Sequence, residues 1–109
     1  MDVYWGETVT FDFTTHNPKT GQVQDDDALP LARVFQDGID VPILSPVVTK
    51  RVALTGDYRI TFTVDTASGF VIEHAYNLVV IATVTGIQAK ARIAVFVPRA
   101  RTAAVHFRV

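Results

Sequence analysis

The sequence predicts an all-β domain: an antiparallel two-sheet β-sandwich of about seven strands followed by a C-terminal extended arm. Three observations carry this. Val, Ile and Thr supply 37 of the 109 residues, and β-branched side chains favour strand. Several runs alternate apolar with polar residues, and no segment longer than a turn shows helical period. Clusters of Gly, Pro, Asn and Asp punctuate the chain between these runs, as a sandwich requires.

The elements follow in order. In residues 8–14, Val9, Phe11 and Phe13 share one face while Thr8, Thr10, Asp12 and Thr14 share the other. The turn Asn17-Pro18-Lys19-Thr20-Gly21 comes next, and weaker strands are expected at 31–35, 41–44 and 47–54, with a turn at Gln36-Asp37-Gly38. Thr55-Gly56-Asp57 leads into residues 58–64, where Tyr58, Ile60, Phe62 and Val64 face inward. After the turn Ala67-Ser68-Gly69, residues 78–84 are apolar on both faces, which suits a central strand. Thr85-Gly86 turns the chain into a last strand at 87–97, because a Gly there permits the positive φ of a tight hairpin. The expected core is Val9, Phe11, Phe13, Ile60, Phe62, Leu78, Val80, Ile93 and Val95. Pro98 has no amide donor and is expected to interrupt the last strand. The chain therefore divides into a sandwich, 1–97, and an arm or extra strand, 98–109.

Composition narrows the function. Hydrophobic residues make up 49% of the chain, rich for a small monomer that must leave much apolar surface wet. Oligomerisation or burial in an assembly would absorb the excess. Charged residues interrupt every apolar run before it reaches membrane-spanning length. The start Met1-Asp2-Val3-Tyr4-Trp5-Gly6-Glu7 lacks the basic and apolar regions of a signal peptide, so synthesis in a cytoplasm is expected. There is no cysteine. All eleven acids lie at or before Glu73, alongside five bases, whereas the rest of the chain holds five bases and no acid. A basic C-terminal stretch seeks an acidic partner surface, and a second copy of the chain would offer one. Nucleic acid is not expected as a partner, because the three tail arginines lack interleaved aromatic residues and the pI is near 6.2.

No constellation for catalysis, metal or cofactor stands out. Asp25-Asp26-Asp27 could hold a hard cation, but a single adjacent run lacks the spaced oxygen ligands of a calcium loop and reads as solvated. His16, His74 and His106 are scattered. The only serines, Ser45 and Ser68, precede Pro46 and Gly69 as turn formers. Glu7 and Glu73 stand alone. Arg51, Arg59 and Arg92 read as solvated strand faces. An enzyme is not expected, and no cofactor is implied. Tyr4 and Trp5 could anchor an interface or cap one end of the sandwich, the two readings weighing equally.

Three segments together resemble a known family. They are Gly6-Glu7-Thr8-Val9-Thr10-Phe11-Asp12-Phe13, Leu54-Thr55-Gly56-Asp57-Tyr58 with the strand Arg59-Ile60-Thr61-Phe62, and the hairpin Ala75-Tyr76-Asn77-Leu78-Val79-Val80-Ile81-Ala82-Thr83-Val84-Thr85-Gly86. In strand order and turn placement, residues 3–97 resemble the small immunoglobulin-like β-sandwich virion proteins of tailed bacteriophages. The resemblance implies a structural virion protein, first a capsid decoration or cement protein that binds and bridges capsid subunits. Its partners would be other virion proteins, the major capsid protein or copies of itself. A neck, tail or baseplate accessory or receptor-binding domain is the alternative, and a cellular adhesion module the second. The element from Leu54 to Tyr58 also resembles the tyrosine corner of such folds. With no cysteine pair, and with Trp5 near the N-terminus, the chain departs from antibody-type domains.

The surplus chain completes the reading. Beyond Pro98, Val105, Phe107 and Val109 fall on one face of an extended segment, with His106 and Arg108 on the other. Such an apolar face is expected to pair with a sheet edge or fill a groove. Docking on another subunit is favoured only slightly over return to its own domain as an eighth strand. Arg99 and Arg101 would steer it electrostatically. The expected partner-binding residues are thus Arg99, Arg101, Val105, Phe107, Val109, Tyr4 and Trp5.

Overall fold

Eight strands form in the computed structural model, which describes residues 2–100. They are β1 (Asp2–Tyr4), β2 (Thr8–Thr14), β3 (Leu31–Gln36), β4 (Pro42–Leu44), β5 (Val48–Lys50), β6 (Asp57–Thr63), β7 (Tyr76–Val84) and β8 (Ile87–Arg99). A three-stranded sheet runs β2-β6-β5, and a five-stranded sheet runs β1-β8-β7-β3-β4. The two pack face to face as an all-β sandwich. This is the immunoglobulin strand order, except that the strand usually found beyond β2 in the smaller sheet is absent among the described residues.

Unbroken alternation produced the cleanest pairing. β2 and β6 run antiparallel through seven consecutive partners, from Thr8↔Thr63 to Thr14↔Asp57. Tyr58, Ile60 and Phe62 turn inward and are buried, while Thr8–Thr63 and Thr10–Thr61 hydroxyl pairs at 3.0 and 3.2 Å line the outer face. Val9, Phe11 and Phe13 also face inward, but as edge residues they are only half-buried.

The five-stranded sheet departs from expectation in three places. First, residues 2–4 form a strand that pairs parallel with β8, matching Asp2, Val3 and Tyr4 to Val97, Pro98 and Arg99. The sandwich is therefore not wholly antiparallel, and eight strands form among the described residues. Second, Pro98 does not interrupt β8. Its carbonyl accepts the Glu73 amide at 2.8 Å, on the side where β7 has already ended. The missing Pro98 amide points the same way, so no ladder bond is lost. Third, the β7–β8 register shifts between Leu78, opposite Ala94, and Val79, opposite Arg92. Ile93 is the extra residue of a bulge. A one-residue insertion inverts which side chains face the core, so Phe96 is fully buried and Val95 is 43% exposed. Val95 therefore leaves the expected core, and Phe96 replaces it.

The hairpin and corner geometry is set locally. Thr85 and Gly86 have φ of 50° and 77°, the two positive values of a type I′ turn. Gly56, at φ 66°, is obligatory for a second reason: an added Cβ would lie 2.6 Å from Val23 Cγ1 and 2.9 Å from the Thr15 carbonyl. The tyrosine corner falls on Tyr76, not on Tyr58. At the start of β7, the Tyr76 hydroxyl accepts the Val71 amide five residues upstream, at 2.8 Å. The Tyr58 hydroxyl instead reaches across the sandwich to the Asp26 amide at 2.9 Å.

The bulge generates a test. Phe96→Ala is expected to cost about 3–5 kcal/mol in urea unfolding, the range for a buried aromatic. Val95→Ala should cost under about 1 kcal/mol, as surface truncations do. Equal losses would mean that β8 keeps one phase throughout.

Candidate functional site

The expected partner-binding residues that are described gather at one corner. Tyr4 pairs with Arg99 in the β1–β8 register, and the Trp5 amide donates to the Arg99 carbonyl at 2.8 Å. Tyr4 is exposed, whereas Trp5 is half-buried and packs against the core. Arg99 is neutralised within its own chain: Nε lies 3.4 Å from Asp2 Oδ1, and Nη1 binds Glu73 Oε1. These carboxylates, Glu73 first, raise the pKa of the guanidinium. Arg101, Val105, Phe107 and Val109 lie outside the described residues.

The acidic run lies in an exposed loop, as expected, and its carboxylates also clamp neighbouring backbone. Asp25 Oδ1 accepts the Gly56 amide at 2.5 Å and pairs with Lys50 Nζ at 3.5 Å. Asp26 Oδ1 accepts the amides of Thr83 and Asp27 at 2.5 and 3.0 Å. The Asp27 carboxylate accepts Thr85 and Gly86 at 3.0 and 2.8 Å, holding the type I′ turn. Asp25 thus holds the turn before β6, while Asp26 and Asp27 hold the β7–β8 hairpin. No group of three or more His, Asp or Glu side chains suited to a metal ion occurs among the described residues.

The outer face of the five-stranded sheet carries the features that sequence reasoning did not assemble. Register places Arg33, Val79 and Arg92 in one cross-strand row and Leu31, Ile81 and Lys90 in the next. An aliphatic stripe on β7 is thus flanked by three cations on β3 and β8. None of the three makes an ion pair among the described residues. Leu31, on the same face, is 53% exposed. The opposite outer face differs: its cations Arg59 and Arg51 lie 2.8 and 3.4 Å from Asp12. The Arg59 hydrogen bond holds the Asp12 carboxyl below the usual carboxylate range. The available signal was the acid-free stretch from His74 onward, with Lys90 and Arg92 spaced by two.

Between the sheets, at the β7–β8 hairpin end, an apolar cleft of about 280 Å³ opens between β2 and β8. Phe13 forms one wall, and Val80, Ala82, Ala89, Ala91 and Ile93 form the other. The cleft lies where β2 ends at Thr14, with no strand beyond it among the described residues, while the hairpin runs on. Comparison with protein-family models, with curated proteins and with solved structures gave no match.

Two outcomes follow from the carboxylates. Burial pushes the Asp26 carboxyl up, so its charged form opposes folding once the pH exceeds its folded pKa. Asp26→Asn keeps the Oδ1 acceptor without that charge and should leave the unfolding midpoint at pH 7 unchanged or higher. Asp26→Ala takes the acceptor from the Thr83 amide, while the Asp27 amide keeps the Thr83 carbonyl at 2.8 Å, and should cost about 1–3 kcal/mol. Asp12 behaves oppositely. Its depressed pKa contributes stability above the unfolded value of about 3.9, which is lost as pH falls through the folded pKa. The difference in stability between pH 5 and pH 2, read by urea titration, should therefore shrink in Asp12→Asn.

Proposed function

We propose that this chain is a non-catalytic structural module that docks on other proteins of a large assembly. The assembly we infer is the virion of a tailed bacteriophage, with the chain binding and bridging capsid subunits as a decoration or cement protein. The observation that supports docking is the outer face of the five-stranded sheet, where Arg33, Lys90 and Arg92 surround Val79 and Ile81. Arginine beside aliphatic area suits a protein interface. Unpaired cations give orientation and rapid encounter with an acidic surface. The virion assignment rests on the sequence resemblance of residues 3–97.

The test has two parts. Arg33→Glu combined with Arg92→Glu should weaken co-sedimentation with purified particles on the order of 100-fold. Lys19→Glu, on an exposed turn away from this face, should bind as the wild type does. Unchanged binding by the double variant would overturn the face. Quantitative mass spectrometry of virions should give a copy number comparable with that of the capsid subunit. A few copies per particle would overturn the capsid assignment in favour of neck, tail or baseplate.

A further inference from the structure

The smaller sheet ends on an open edge. β2 pairs only with β6 among the described residues, so on its other side the backbone N–H and C=O groups of alternate residues along its seven-residue length lack a strand partner. Such an edge invites another strand. Its inward residues Val9, Phe11 and Phe13 remain half-buried, although their partners on β6 are buried. The apolar cleft beside Phe13 widens the same gap. Phe11 and Phe13 already stack on Phe62 and Tyr58, with centroids 6.0 and 5.6 Å apart, so the inner half of this row is built and only its flank is uncovered.

The chain holds a segment of matching pattern. Val105, Phe107 and Val109 repeat the spacing of Val9, Phe11 and Phe13, three apolar residues in every second position. Charge selects between the two edges that border the cleft. The segment 101–109 carries Arg101 and Arg108 and no acid. On β8 it would lie beside Lys90 and Arg92, and like charges directly opposite are unfavourable. On β2 the only charged residue is Asp12.

Topology selects the donor. Residues 5–7 already cross from the five-stranded to the three-stranded sheet at the end where β8 finishes. They are held by the Trp5 amide on Arg99 and the Gly6 amide on the Val64 carbonyl, both at 2.8 Å. A chain leaving Arg99 for its own β2 edge would have to cross over this connection, and connections on one edge of a sheet do not cross. We propose that residues 105–109 of a second copy of this chain add to β2 as a fourth strand of the smaller sheet. Val105, Phe107 and Val109 cover the flank of Val9, Phe11 and Phe13, and the exchange makes the protein a homo-oligomer. The interaction needs only the purified chain and stands independently of any virion role.

The absence of cysteine makes the test clean. Full-length Thr10→Cys is mixed with full-length His106→Cys or Arg108→Cys, one partner carrying a mass tag, and hetero-disulfide formation is followed. Adjacent strands bring Cα atoms within disulfide range. The Thr10→Cys mixtures should cross-link on the order of tenfold faster than mixtures using Thr49→Cys on β5, the opposite edge of the same sheet. Phe107→Asp should reduce that rate to the control, and should lower the unfolding midpoint only at concentrations where the wild type is associated. Equal rates at Thr10 and Thr49 would overturn the proposal. So would a monomer by sedimentation in the wild type. An internal disulfide in the Thr10→Cys, His106→Cys double variant at high dilution, or a midpoint lowered in Phe107→Asp even where the wild type is diluted to monomer, would place the segment on its own domain and overturn it equally.

Discussion

Phe96 is the contact through which the two sheets become one core. Its ring lies 5.8–6.4 Å from those of Phe11, Phe62, Phe70 and Tyr76, joining β2, β6, the β6–β7 connection and β7 to β8. Aromatic neighbours at such separations contribute beyond their buried area. Phe96 reaches this position only because the bulge at Ile93 inverts the second half of β8. The same inversion sends Lys90 and Arg92 to the outer face before the bulge and Val95 to it afterwards. One inserted residue therefore sets both the centre of the core and the composition of the basic, aliphatic surface.

The two outer faces show how differently one fold can treat its charges. On the smaller sheet, the Asp12 carboxylate is shared between Arg59 and Arg51, and threonine hydroxyls bond across strands. That face is electrostatically satisfied within the chain, apart from its bare β2 edge. On the larger sheet, the cations make no ion pair among the described residues, although Asp40 lines the same surface cleft as Lys90 and Arg92. Other acids are engaged elsewhere: Asp25, Asp26 and Asp27 on backbone amides, and Asp2 and Glu73 on Arg99. The net charge of −1 thus conceals a surface with a basic side.

The sequence was legible where alternation ran unbroken. Residues 8–14 were located to the residue and 58–64 to within one, because a single inward face leaves only one register. Residues 89–97 were harder, since Ala91, Ile93, Ala94, Val95, Phe96 and Val97 are apolar in both phases. Neither Gly nor Pro marks the bulge, so nothing local betrays the change of phase. β1 has only three residues, too few for a period, and depends entirely on its long-range partner. Adjacent aspartates reveal their charge but not which amide each will meet. The basic face needed the register itself, since Arg33 and Arg92 are far apart in sequence and become neighbours only across β7. Of the expected partner-binding residues, Tyr4, Trp5 and Arg99 do share a corner, through the parallel pairing that the sequence did not reveal.

That parallel pairing has a mechanical meaning. β1 and β8 point the same way, so tension between residues 2 and 99 draws the two strands in opposite directions along their shared axis. The backbone bonds of the β1–β8 ladder, with the Trp5 amide on the Arg99 carbonyl and the Asp2–Arg99 ion pair, bear that load side by side in shear instead of parting one after another. Antiparallel strands pulled from a common end would unzip. A sandwich latched in this way resists being drawn out lengthwise by whatever is attached to its two ends, although the latch is only three residues long.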